Sequence, residues 1–137
     1  MTEALLTKAS NLYIETTGRH SGQAARAHLW YAYESGQLYL LSVVYGDGRT
    51  THWYRNLREA PECLVEVNGQ AFEARATSLE PDAELEARVR EMFRAKYGER
   101  PYQNWFGRDA MIPVVLEVPH PESPVREAPL GEAGQLR

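Results

Sequence analysis

The Asn68-Gly69 pair constrains this chain more than any other dipeptide in it. A two-residue type I′ hairpin needs positive φ at both central positions, and Asn followed by Gly meets that need at least cost. Upstream, Cys63, Val65 and Val67 alternate with Leu64 and Glu66, the period of a strand with one buried face. Pairing across the turn sets Val65 opposite Phe72 and Cys63 opposite Ala74, so an apolar face lines up without a register slip. An antiparallel sheet is therefore the expected framework.

Other segments extend it. Leu12 and Ile14 alternate with Tyr13 and Glu15, a half-buried strand over Asn11 to Glu15 that stops at Thr16-Thr17-Gly18-Arg19-His20-Ser21-Gly22-Gln23. Two glycines in that turn allow backbone N–H groups to converge on an anion, although Gly and Ser are common in turns of every kind. Ala25 to Tyr33 and Leu38 to Tyr45 read as antiparallel neighbours joined at Ser35-Gly36. After a second glycine loop, Thr51 caps a short helix with Trp53 and Leu57 on one face, ended by Pro61. Pro81 opens a longer helix to about Tyr97, with Leu85, Val89, Met92, Phe93 and Lys96 or Tyr97 on one stripe, expected to cover an open end of the sheet. Gly98 to Gly107 reads as a loop, Ile112 to Val118 as the last strand, and Pro119, Pro121 and Pro124 introduce a loosely ordered polar tail. About six antiparallel strands, one longer helix and one short one, without βαβ alternation, argue for a mainly β fold, a barrel or rolled sheet. The expected domain is 1–118, with 119–137 as tail.

With 137 residues, one core should organise everything. The single cysteine, Cys63, excludes an intrachain disulfide and suits a cytoplasmic setting; inside a strand it should be buried and inert. Neither export nor a membrane span is expected, since no apolar run approaches the length needed. A net charge of −4 argues against nucleic-acid partners. Residues 1–60 carry a balance of +1 and 61–137 one of −5, so an anion's partners should lie early. The four histidines follow no metal-ligand spacing, and no metal site is expected. No nucleophile, base and orienter order is evident either.

The succession Leu12-Tyr13-Ile14-Glu15-Thr16-Thr17-Gly18-Arg19-His20-Ser21-Gly22-Gln23, Leu29-Trp30-Tyr31, His52-Trp53-Tyr54-Arg55-Asn56-Leu57 and Ile112-Pro113-Val114-Val115 resembles the deazaflavin-dependent nitroreductase family over roughly residues 10–118. The resemblance implies the split β-barrel of FMN-binding, pyridoxamine-phosphate-oxidase-like proteins, with coenzyme F420 as cofactor. It also implies that Arg19, His20 and Ser21 grip the cofactor phosphate, and that the strand of Arg26, Ala27, His28, Leu29 and Trp30 runs beside the cofactor. His52, Trp53, Tyr54, Arg55 and Asn56 would cap its far side, and Tyr102 would approach ring and substrate as a proton donor, with bulk water as the alternative. Where related sequences carry a small residue, serine and lysine, this chain has Ser42-Val43-Val44-Tyr45, leaving backbone N–H groups for the ring's carbonyl edge. With the first strand expected so near the start, the membrane-seeking extension of some relatives is expected to be absent.

The implied activity is hydride transfer to a small electron-poor acceptor such as a quinone, an activated alkene or a nitro compound. The alternatives are an FMN-dependent oxidoreductase, a non-catalytic flavin or deazaflavin binder, and unrelated chemistry on the same fold. Trp30, Tyr31, Trp53 and Tyr54 serve equally as core or cofactor wall, as Tyr97, Tyr102 and Trp105 serve as mouth packing or substrate contacts. Split barrels often pair, which allows a homodimer.

Overall fold

A computed structural model of the chain describes residues 2–106 and 110–127. Its elements in chain order are α1 (Thr2–Lys8), β1 (Leu12–Thr17), β2 (Ala24–Leu29), β3 (Ala32–Glu34), β4 (Gln37–Val44), α2 (His52–Glu59), β5 (Glu62–Val67), β6 (Gln70–Ser78), α3 (Ala83–Tyr97), α4 (Glu99–Phe106), β7 (Ala110–Glu117) and β8 (Arg126–Glu127). Among the described residues, seven strands follow the order β2-β1-β5-β6-β7-β4-β3, and β8 pairs with β6. Every pairing is antiparallel.

Both tight hairpins form as the sequence requires. Asn68 and Gly69 have φ of 49° and 84°, and Ser35 and Gly36 have φ of 52° and 81°. The first fixes the expected register, with Val65 opposite Phe72 and Cys63 opposite Ala74. The run from Ala25 to Tyr33, however, is two strands with different partners. β2 pairs with β1 from Leu12↔Leu29 to Thr17↔Ala24, and only the short β3 pairs with β4. Alternation identifies a strand but carries no information about which neighbour it takes.

β2 and β3 lie at opposite ends of the strand path, yet only Trp30 and Tyr31 join them. Three residue steps span about 10 Å at most. The sheet must therefore curl until its ends meet, which closes the barrel.

Side-chain parity on β4 and β7 then divides the apolar residues into two clusters. Leu38, Leu40, Val114 and Leu116 face the barrel interior with Leu12, Ile14, Val65, Phe72 and, from α2, Trp53 and Leu57. Tyr39, Leu41, Met111 and Val115 face outward against Val89 and Phe93 of α3 and Tyr102 of α4. The longer helix thus covers an outer face of the sheet rather than an open end. Asp82 caps it, accepting from the Leu85 amide at 3.0 Å, and Gly98 ends it at φ 96°. The expected loop after Gly98 is instead helix α4. Pro101 sits in its first turn, where a missing N–H costs nothing.

Two further elements depart from expectation. α1 has seven residues, too few to be stable alone, and is held by the fully buried Leu6, whose carbonyl accepts from the Tyr31 hydroxyl at 2.5 Å. The start of the tail also docks: the Val125 amide donates to Ala71 O at 2.7 Å, and β8 pairs with Gln70 and Ala71. Residues 128–137 lie outside the described residues. Cys63 is buried as expected, and burial, then Glu62, pushes its thiol up to about 12. No described helix is long and apolar enough to cross a membrane.

Two predictions follow from this packing. Phe72→Ala removes a fully buried ring from the barrel interior and should cost about 3–5 kcal/mol, read from denaturant midpoints. Lys96, whose ammonium lies 3.8 Å from the Tyr31 ring centroid, is pushed by burial from 10.5 down to about 8. Between those values the unfolded chain binds more protons than the folded one, so Lys96 makes stability rise with pH there. Thermal midpoints at about pH 7.5 and about pH 9.5 should show wild type gaining on Lys96→Met across that window.

Candidate functional site

The turn between β1 and β2 is built to be tight. A Cβ on Gly18 would lie 2.7 Å from Ser21 Oγ and 3.0 Å from Gln23 O, and Gly22 has φ 73°. The Gly18 and Gly22 amides donate to Gln23 O and Gly18 O, and the Gln23 amide donates to Ser21 Oγ. The Arg19 amide donates to Asn56 Oδ1 at 3.2 Å. Most of the turn's N–H groups are therefore engaged within the protein rather than convergent on an outside anion, and His20 and Ser21 are exposed.

Asn56 fastens this turn to α2. Its side chain is buried; Oδ1 also accepts from Arg19 Nη1 at 2.8 Å, and Nδ2 donates to Thr16 Oγ1 at 3.0 Å. The Arg19 guanidinium is thereby turned toward the start of the helix, 3.3 Å from His52 Nδ1. Thr51 caps that helix as expected, accepting from the Tyr54 amide, and shares a 2.9 Å hydrogen bond with the fully buried Ser42.

Beside the helix start lies a cavity of about 490 Å³. β2 supplies His28 and Leu29, and the link to β3 supplies Trp30; β4 supplies Leu41 and Val43; Trp53, Trp105 and Phe106 come from α2 and α4, and Asn11, Tyr45 and Thr51 complete the lining. Tyr45 and Thr51 also line a second recess, of about 290 Å³, with Arg49, Thr50, His52 and Arg55. An aromatic chamber thus adjoins a cationic one. In the recess Arg55 donates to Thr50 O at 3.0 Å. Arg49 pairs with Asp47 at 2.7 Å, and its amide and guanidinium hold that carboxyl below its usual value. Tyr45 and Trp105 are 50% and 67% exposed, which leaves the mouth open to water.

Of the residues singled out from sequence, His28, Leu29, Trp30, Val43 and Trp53 meet in the cavity, and His52 and Arg55 in the recess. Arg19 reaches the recess only through His52. The others are engaged elsewhere. Arg26 pairs with Glu15 at 3.2 Å and with the buried Glu66 at 2.9 Å, while Ala27 and Val44 pack on the barrel core. Tyr54 is buried and donates to Leu79 O. Tyr102 is 1% exposed, does not line the cavity, and accepts from Arg90 Nη1 at 2.9 Å; the α4 residues that do line it are Trp105 and Phe106. The lining residues that the sequence reading passed over are Asn11, Leu41, Tyr45, Thr51 and Phe106, together with Thr50 in the recess. Leu41 carried a signal in the alternation of β4, which puts it on the face opposite Leu40. Among the described residues no three His, Cys, Asp or Glu side chains converge as metal ligands would.

Asn56→Ala should leave the Arg19 amide without its acceptor and take from the Thr16 hydroxyl one of its two hydrogen bonds, the other being to Ala25 O, and cost about 1–3 kcal/mol. Trypsin should then cut after Arg19 faster than in wild type, a difference read from the fragments by mass spectrometry.

The family model described as F420H(2)-dependent quinone reductase matches residues 2–119. An F420H(2)-dependent quinone reductase of Mycobacterium tuberculosis is 28% identical over 107 residues, 77% of this chain and 71% of that protein. Among solved structures, an F420 reductase superposes with a TM-score of 0.61 at 16% identity, over 85% of this chain and 91% of that one. A FAD-binding protein from Mesorhizobium loti also gives 0.61, at 15% identity, over 85% and 86%. These two share the split β-barrel fold. The family model spans the barrel and both chambers, and this chain belongs to the F420H(2)-dependent quinone reductase family.

Proposed function

We propose that the chain reduces a small quinone with reduced coenzyme F420, the planar ring lying in the aromatic cavity and the phosphate and acidic tail in the recess. The observation that carries this reading is the junction of the two chambers at Tyr45 and Thr51. A ligand flat and apolar at one end and anionic at the other matches that junction. The cavity's volume falls within the range of small-molecule sites, and guanidinium groups suit phosphate and carboxylate.

When bound, the cofactor supplies the hydride, and a quinone that gains it together with one proton becomes a quinol. The chain's own residues contribute placement. Trp30 and Trp53 offer flat walls for stacking, and Leu29, Leu41 and Val43 exclude water from the ring. Arg49 and Arg55 hold the anionic end, while Arg19 steadies His52. The open mouth between Tyr45 and Trp105 admits the water that provides the proton. Tyr102 serves by seating α4 through Arg90.

Fluorescence titration with F420, with FMN in parallel, tests it. A charge-assisted contact contributes about 1.5–3 kcal/mol, so Arg49→Ala and Arg55→Ala should each weaken F420 binding about 10- to 100-fold. Equal weak binding of both ligands, unmoved by the substitutions, would overturn the reading.

A further inference from the structure

Trp30 has two duties: with Tyr31 it joins strands from opposite ends of the sheet, and its indole walls the cavity. Such a crossover lies between ladders, so its backbone groups need partners from outside the sheet. Tyr97, the last residue of α3, supplies them. Its hydroxyl accepts from the Tyr31 amide at 3.1 Å and lies 2.6 Å from Ser10 O and 3.0 Å from Tyr31 O. One hydroxyl proton serves one carbonyl at a time. Ser10 O is the nearer, and Lys96 Nζ, 3.0 Å from Tyr31 O, satisfies the other.

The Tyr97 ring acts on the side chain as its hydroxyl acts on the backbone. It stacks on the Trp30 indole with centroids 3.9 Å apart and planes 10° apart. Phe93 and Phe106 meet the same indole edge-on at 6.3 Å and 5.4 Å. Tyr97 itself is absent from the cavity lining and so stands behind the wall.

We propose that Tyr97 is a positioning residue: its hydroxyl pins the Trp30-Tyr31 crossover and its ring backs the indole, so that Trp30 presents one fixed plane to a flat ligand. The catalytic half of this inference rests on the function proposed above; the fixing of Trp30 does not. A wall already held in place spares the ligand the cost of ordering it.

Two substitutions separate the contributions. Tyr97→Phe deletes the hydroxyl and keeps the stack, whereas Tyr97→Leu deletes both. With F420H2 and menadione, Tyr97→Phe should raise the KM for menadione about fivefold while kcat changes less than about twofold, and Tyr97→Leu should raise it further. Acrylamide quenching in the Trp53→Phe, Trp105→Phe background, where Trp30 is the sole tryptophan, needs no cofactor; quenching should rise with Tyr97→Phe and more with Tyr97→Leu. A residue that merely filled space would lower the active fraction, and with it the apparent kcat, leaving KM and quenching unchanged, and that result overturns the proposal. Should wild type neither bind nor turn over F420, the proposed function fails and the quenching arm alone decides whether Tyr97 fixes Trp30. If Tyr97→Leu does not fold, Tyr97→Phe decides by itself.

Discussion

Closure of the barrel through two residues is the constraint from which the rest of this molecule follows. Because β2 and β3 end the strand path on opposite sides and are tied by Trp30 and Tyr31, curvature is imposed by chain connectivity and not only by twist. The same tie leaves two large aromatic side chains at the seam. Tyr31 turns inward, fully buried, and its hydroxyl bonds to α1; Trp30 turns outward and becomes a cavity wall. Fold closure and site construction are one event here.

A second fastening brings the cationic groups to that wall. Asn56, buried on α2, bonds to Arg19 and Thr16 at once, so the first turn and the helix start cannot separate without stranding polar atoms. The family resemblance implied a phosphate grip in the turn itself. The structure instead engages most of the turn's amides internally and brings Arg49, His52 and Arg55 together in the recess beside the helix start. Membership of the F420H(2)-dependent quinone reductase family accords with an aromatic chamber adjoining a cationic one.

Local chemistry was the legible part of the sequence. Asn68-Gly69 and Ser35-Gly36 announce their turns because few other pairs tolerate positive φ twice, and the register of β5 on β6 follows from parity. Thr51 as a cap was equally plain. Partner choice was not, since nothing in Ala25 to Tyr33 says that its halves serve opposite ends of a sheet. Helix α4 was hidden because Pro101 reads as a breaker until its place in the first turn is known. α1 was hidden because seven residues gain their helicity from Leu6 and Tyr31 rather than from propensity. The site was half legible: Trp30, Val43 and Trp53, named from the resemblance, line one cavity, whereas Tyr102 lies off it and α4 turns Trp105 and Phe106 to the cavity instead.

The parity of β4 carries an evolutionary consequence. Leu38, Leu40 and Ser42 belong to the barrel and to its tie with Thr51, while Leu41 and Val43 floor the cavity. Neighbours in sequence thus answer to separate selective pressures. Substitution at the odd positions can reshape the cavity while the even ones keep the barrel shut, so the two can vary independently along one strand.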